Sequence, residues 1–359
     1  MGGALRVGIV GIGNISGQYL ATLPLLAGVE VTAVADLDFE RAAAVARDGI
    51  RASEPDRLYE ADDVDLVLNL TVPRAHADVA LRAIEAGKHV YNEKPLALTT
   101  AEGRRILDAA AGLGVRVGCA PDTVLGTGTQ TARHLLDAGA IGSPVAATAF
   151  MVSPGPERWH PSPEFFYRTG GGPLLDMGPY YLTALVTLLG PVRRVAGMAA
   201  MPRDRRTVGS GPLAGTDFPV EVPTHVTGTL EHASGAVSTL LMSFDVWAAE
   251  LPRIEVYGTD GSLSVPDPNG FGGQVRLFHR DSPEWTPRPD AAGYAGAGRG
   301  CGIADLADAV AAGTEHRAGG ELALHVLDVL ESLLRAAESG RTEPVTTDCA
   351  RPAPVPLSG

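Results

Sequence analysis

Short apolar runs alternate with amphipathic stretches over the first 120 residues. The runs lie at 4–10, 29–35 (VEVTAVA), 65–70 (DLVLNL), 89–92 (HVYN) and 115–119 (VRVGC). They are too short for helices, and most are apolar throughout, which is the mark of strands buried on both faces. The stretches between them have helical spacing: one runs from the first glycines to Leu26, one from Asp38 through Arg47, then 75–86 and 100–111. Asp38 reads as a helix cap and Gly87 as a helix stop. Strands alternating with helices predict a parallel sheet covered on both sides.

Beyond Pro121 the period changes. A helix is expected at 128–138, followed by strands at 145–152, 192–198, 225–232, 236–244, 253–257 and 275–279. The segment TLEHASGAVSTLLM alternates with period two about Ser234-Gly235, a hairpin signature. A helix at 174–189 interrupts the strands, and helices at 303–312 and 321–339 follow them. Proline and glycine make 201–219 and 283–300 loops, and the tail from Thr342 reads as extended. The expected fold class is therefore α/β. Residues 1–121 form a doubly wound parallel sheet. Residues 122–359 form an α+β domain with a large, mostly antiparallel open sheet. The helix at about 321–339 is placed to pack back on the first domain.

A length of 359 residues suits two domains. A net charge of −13 with no basic block argues against nucleic acid or an anionic membrane as partner. There is no apolar span of about 20 residues, and the start lacks a basic export signal. Three cysteines without metal or CxxC spacing fit a reducing compartment, so a cytoplasmic protein is expected. No His, Asp or Glu cluster has ligand spacing, so no metal is expected.

Chemistry enters with GIVGIGNIS. Gly11 and Gly13 follow the first strand, and Asn14 and Ile15 lead into a helix. Glycine permits the tight turn and lets backbone approach a pyrophosphate, which the helix start then receives. The third position of the usual pattern holds Ser16. Asp36 ends the second strand, placed to accept ribose hydroxyls and to repel a 2′-phosphate. This favours NAD. Arg41, shortly after, is placed to stack on adenine and leaves NADP open. The segment VYNEKPL holds Lys94, one of two lysines in the chain; the other, Lys88, reads as solvated. Unlike arginine, lysine gives up its proton at accessible pH, so Lys94 is a candidate proton-handling group.

These motifs, with NLTVPRAHADVALRAIEAGKHVYNEKPLALT, HLLDAGAIGSPVAA and GGGPLLDMGPYYL, resemble the Gfo/Idh/MocA family, named for glucose–fructose oxidoreductase and inositol dehydrogenase. The resemblance covers almost the whole chain. It implies a Rossmann domain, a pyridine nucleotide, and a sugar or cyclitol substrate. It puts Thr71, Pro73 and His76 near the cofactor. It sets Lys94 beside the nicotinamide and the reacting carbinol, with Glu93 on the cofactor ribose or neutralising Lys94. It implies a homodimer or homotetramer through the second domain's sheet.

The family's DxGxH pattern falls on Asp176-Met177-Gly178-Pro179-Tyr180. Asp176 matches, while Tyr180 stands where histidine is usual. Four residues apart on a helix, the two share a face. The general base is thus open between Tyr180 and His160, which lies in the loop ERWHPSPEFFYR and has the side chain that titrates nearest neutrality. Trp159 and Tyr167 are candidates to stack on a sugar ring, and Arg168 to bind a hydroxyl or carboxylate. Where many members carry Asn-Arg, this chain has Ala120-Pro121-Asp122-Thr123, so Asp122 and Thr123 become candidate hydroxyl ligands. The glycine-rich 293–302 reads as a substrate lid, an arm to a neighbouring subunit, or a surface loop. The expected activity is an NAD(P)-dependent oxidoreductase acting on a sugar, glycoside or cyclitol carbinol. Alternatives are redox-assisted glycoside cleavage and a non-catalytic NAD-binding regulator.

Overall fold

A computed structural model describes residues 3–358. The chain divides into two compact units, one built from the start of the chain to Gly126 with Tyr294–Leu327, the other from Thr127–Gly293 with Asp328–Ser358.

The first unit opens with β1 (Leu5–Val10), α1 (Ser16–Thr22), β2 (Val29–Ala35), α2 (Phe39–Val45), β3 (Arg51–Ser53) and α3 (Pro55–Tyr59). It continues with β4 (Leu66–Asn69), α4 (His76–Glu85), β5 (His89–Asn92), α5 (Thr100–Leu113) and β6 (Val117–Cys119). The strands form one sheet in the order β3-β2-β1-β4-β5-β6, and every pairing is parallel. β3 and α3 had no expectation from the sequence, because RASEPDRLY has neither an apolar run nor a helical stripe. The short β3 pairs only with β2, at the sheet edge. The chain runs outward from β1 to β3 and then returns to β4 on the other side of β1. Such a reversal opens a crevice at the carboxyl ends of β1 and β4. α5 starts on a capping box between Thr99 and Glu102 and stops at Gly114 in the left-handed conformation. Its face, with Ile106 and Ala110, joins the core that holds Val67, Val90 and Leu96. Leu324 and Leu327 join the same core, so part of the late helix serves this unit.

The second unit holds α6 (Thr127–Asp137), β7 (Pro144–Val152), α7 (Gly172–Leu189), β8 (Val192–Ala200), β9 (Arg205–Thr207) and β10 (Asp217–Pro219). Then come β11 (His225–His232), β12 (Val237–Ser243), β13 (Ile254–Gly258), β14 (Gly261–Val265), β15 (Val275–His279) and β16 (Ser282–Arg288). α8 (Cys301–Ala312) belongs to the first unit, the division between units falls within α9 (Gly320–Ser339), and β17 (Glu343–Pro344) follows. A nine-stranded sheet runs β16-β15-β14-β13-β7-β12-β11-β8-β17. Its pairings are antiparallel except β7 with β12. Alternate residues of β11 and β12 are buried, as the period-two pattern requires, and α7 lies against this sheet.

Two loop readings and one cap are corrected. Within 201–219, β9 pairs with β10 and the rest is loop, and part of 283–300 is the edge strand β16. Proline tolerates an edge, where one side of the ladder carries no partner. Asp38 precedes α2, but its side chain makes no capping bond; it pairs with Arg41 instead.

Candidate functional site

β1 delivers the chain to Gly11, whose φ is +99°. A Cβ there would stand 2.8 Å from the carbonyl of Leu70 and the nitrogen of Thr71. Only glycine lets this turn lie against the end of β4. At Gly13 a Cβ would meet nothing within 4 Å, so the next step of the turn faces open space. Ser16 is buried and donates to the Gly13 carbonyl at 2.7 Å, fixing the turn from below. Asn14 is exposed and Ile15 half-buried. No side chain caps α1, and no acidic residue stands in its first turn.

Asp36, at the end of β2, reaches back to this turn. Oδ2 accepts from the Ile12 N–H at 2.7 Å and Oδ1 from the Asp38 N–H at 2.9 Å. Its carboxylate is thereby held beside the glycines. Arg41 is exposed and pairs with Asp38 at 3.3 Å.

At the ends of β4 and β5 lies an amide ladder that the sequence reading missed. The buried Asn69 accepts from Thr71 Oγ1 at 2.6 Å and donates to Asn92 Oδ1 at 3.0 Å. Asn92 donates to the Leu96 carbonyl at 2.9 Å. The signal available in the sequence was an asparagine ending each of two apolar strands. His76 is also buried: Nδ1 lies 2.6 Å from the Pro95 carbonyl and Nε2 3.0 Å from that of Thr71. Burial lowers its pKa against the pull of both carbonyls; in its neutral form the ring has one N–H to share between them. His76 thus ties the segment after Lys94 to the loop after β4, while Pro73 is exposed.

Lys94 is half-buried, and its peptide bond to Pro95 is cis. Its backbone N–H donates to Glu93 Oε2 at 2.9 Å, and Glu93 Oε1 accepts from Tyr19 at 2.8 Å. Glu93 is 7% exposed. Asp122 and Thr123, expected at a substrate, are wholly buried. Asp122 Oδ2 accepts from the N–H groups of Gly300 at 2.8 Å and Gly302 at 3.1 Å. Burial raises its pKa against those two bonds. This is a correction: Asp122 is spent on anchoring the glycine-rich segment. That segment is accordingly pinned to its own unit, with Tyr294 bonded to Asp305 and Arg299 to Gln18, rather than standing free as a lid or arm.

In the second unit, Asp176 and Tyr180 lie one turn apart on α7, Asp176 half-buried and Tyr180 buried. Gly178 lets α7 approach Leu330, since a Cβ there would stand 2.6 Å from that side chain. His160 follows a 3-10 turn at Pro156–Arg158. Its Nδ1 accepts from the Ser162 N–H at 3.0 Å, and its ring meets Trp159, Phe165 and Phe166 edge-on. Trp159 is 66% exposed, and Arg168 makes an exposed pair with Glu164 at 2.9 Å. Tyr167 departs from its expected place on a sugar. It is fully buried and donates to Glu157. Arg206 pairs with the same Glu157 at 2.7 Å and with Asp245 at 2.5 Å. Tyr167 belongs to an ionic core beneath the His160 loop.

Known proteins agree with this architecture. Residues 5–120 match the model of an oxidoreductase family described as having an NAD-binding Rossmann fold, and residues 129–264 match the GFO/IDH/MocA C-terminal domain. The chain belongs to the Gfo/Idh/MocA family. Among relatives of this family, the chain is 29% identical to the 1,5-anhydro-D-fructose reductase of Ensifer adhaerens, over 72% of this chain and 74% of that protein. It is 38% identical to inositol 2-dehydrogenase 3 of Saccharopolyspora erythraea, over 44% of this chain and 48% of that protein. The second match thus spans about half of that relative's length. The fold is shared with levoglucosan dehydrogenase in its apo form, with a TM-score of 0.82, 21% identity, and coverage of 97% of this chain and all of that one. The first unit is therefore an NAD-binding Rossmann domain in an oxidoreductase chain. Its residues fit that nucleotide: the turn leaves open space at Gly13, and Asp36 presents a fixed carboxylate beside it. Among the described residues, no helix is long and apolar enough to cross a membrane.

Proposed function

We propose that this protein moves a hydride between NAD and a carbinol carbon of a sugar, glycoside or cyclitol. The observation that carries the reading is the setting of Lys94. One of only two lysines stands half-buried just past β5, its backbone locked by a buried glutamate, in a domain whose glycine turn and Asp36 suit a dinucleotide. The names of the relatives supply the substrate class.

The residues divide the work as follows. Gly13, Asn14 and Ile15 receive the pyrophosphate through backbone N–H groups, while Gly11, whose own N–H is bonded to the Ala35 carbonyl, makes the turn. Asp36 accepts from the ribose hydroxyls, which favours NAD over NADP. Thr71, Pro73 and His76 shape the wall at the end of β4. Bound nicotinamide supplies the two-electron acceptor. The carbinol oxygen gains negative charge as its proton leaves, the Lys94 ammonium stabilises that charge, and the charge is spent in forming the carbonyl as the carbon gives up hydride. Asp176 and Tyr180 present one helix face to the hydroxyl and take its proton. Tyr180 is favoured as base over His160, whose Nδ1 is committed to its own loop. Trp159 and Arg168, both exposed, remain the candidate sugar contacts of that loop.

The test is purification without added nucleotide, release and identification of any bound cofactor, and a panel of sugars, glycosides and inositols with NAD or NADP. Steady NADH formation with one substrate group, lost in Lys94→Ala, is the expected result. Bound NAD with glycoside cleaved and no net NADH would replace dehydrogenation by redox-assisted cleavage. Failure to bind either nucleotide would overturn the reading.

A further inference from the structure

Glu93 is a buried carboxylate with both oxygens engaged. One accepts the N–H of Lys94, fixing the peptide that enters the lysine. The other accepts the hydroxyl of Tyr19, which comes from α1, the helix that follows the glycine turn. The Glu93 N–H is itself held by the Asn69 carbonyl at 2.9 Å, so the carboxylate hangs from a rigid strand end. Tyr19 has no exposed surface. Burial raises its pKa, and the neighbouring Glu93 raises it further, so the phenol keeps its proton and donates it to Glu93. The ring is backed by the glycine-rich segment. A Cβ at Gly300 would stand 3.5 Å from Tyr19 Cδ1, and the Gly300 N–H is pinned by Asp122. Tyr19 is thus a buried strut between the nucleotide turn and the lysine, built from three separate stretches of chain.

We infer that Tyr19 is a positioning residue, which by holding Glu93 sets both where the Lys94 ammonium stands and how much negative charge it faces. The inference rests on the reading that Lys94 handles the proton. Without the phenol, Glu93 loses a hydrogen bond that disperses its charge and gains freedom to swing. Lys94 then meets a less neutralised carboxylate in a less defined place.

The chain's two lysines make this measurable. Reductive ¹³C-methylation of the full-length protein labels Lys88 and Lys94, and each resonance is titrated by NMR. Lys88, which donates to the Ala61 carbonyl, serves as internal reference. In Tyr19→Phe the Lys94 titration moves to higher pH and that of Lys88 stays. In Glu93→Gln it moves to lower pH, and adding Tyr19→Phe to Glu93→Gln changes nothing further. With the substrate found by the panel, Tyr19→Phe lowers kcat about tenfold, with the KM for nucleotide within about twofold of wild type. The pH limb of kcat shifts with the Lys94 resonance.

A Lys94 resonance unmoved in a Tyr19→Phe protein of normal thermal stability overturns the inference. So does an equal kcat loss with and without Glu93, which marks a merely structural tyrosine. If Tyr19→Phe does not fold, Glu93→Gln decides alone, and an unmoved Lys94 there overturns the coupling. A wild-type protein that reduces no nucleotide sinks the proposed function, and the resonances still decide the coupling.

Discussion

Lys94 carries the chemistry proposed for this chain, and its loss has a definite signature. Lys94→Ala is expected to lower kcat by about 10²- to 10⁴-fold while nucleotide affinity stays within about threefold, checked by steady-state kinetics and equilibrium binding. Asp36 gives the complementary case. Its oxygens hold the Ile12 and Asp38 N–H groups, so the side chain is fixed before any nucleotide arrives. Asp36→Asn removes the charge that repels a 2′-phosphate, and the ratio of NAD to NADP affinity is expected to fall by about tenfold. Both residues were legible in the sequence because their motifs are local. Tyr19, Asn69 and Asn92 were not. Each matters only through a partner far along the chain, and no spacing rule announces a hydrogen bond between residues 19 and 93. Asp122 and Tyr167 show the reverse error. Their side chains suit sugar binding, yet burial commits the first to two backbone N–H groups and the second to Glu157.

At the scale of elements, turns and caps are the sensitive points. Gly11→Ala places a methyl against the backbone at Leu70 and Thr71. The turn must shift, and nucleotide affinity is expected to drop by about tenfold or more, read by titration calorimetry with a melting curve as control. The His160 loop depends on an ionic core. Arg206 is buried against Glu157 and Asp245, with Thr224 donating to Asp245 at 2.6 Å. Arg206→Met leaves the buried Glu157 carboxylate and the half-buried Asp245 carboxylate without their cation. A loss of about 3–5 kcal/mol is expected in urea unfolding. The strands and helices that carry this site were readable where hydrophobic periodicity was strong, as in β11, β12 and α5. Weak periodicity hid β3, β14 and β16, whose partners supply the ladder that their own sequences do not advertise.

For the molecule as a whole, acid is the informative stress. Burial lowers the pKa of His76, and likewise of His89 and His316, all in the Rossmann unit. Their folded values lie below the unfolded value of about 6.5. As pH falls through that value, the unfolded chain binds protons that the folded chain refuses. The stability from these groups is therefore complete above about pH 6.5 and is lost as pH falls through the folded values. For the almost wholly buried His76 the slope is at most about 1.4 kcal/mol per pH unit. The melting temperature is expected to fall from pH 7 to pH 5, and His76→Gln to flatten that fall. Assembly through the nine-stranded sheet is a proposal at this scale, and equilibrium sedimentation at neutral pH tests for a dimer or tetramer.

The sequence by itself determined the fold class, the nucleotide turn, Asp36, Lys94 and the Asp176–Tyr180 spacing. All of these follow from local periodicity, from glycine's backbone freedom, or from residues a few positions apart on one element. The tertiary structure decided which polar side chains are spent on holding the protein together. It set Tyr19 under Glu93, Asp122 under Gly300 and Gly302, and Tyr167 within the Arg206 core. Burial and long-range hydrogen bonding depend on where distant segments come to rest, and a linear pattern carries no record of that.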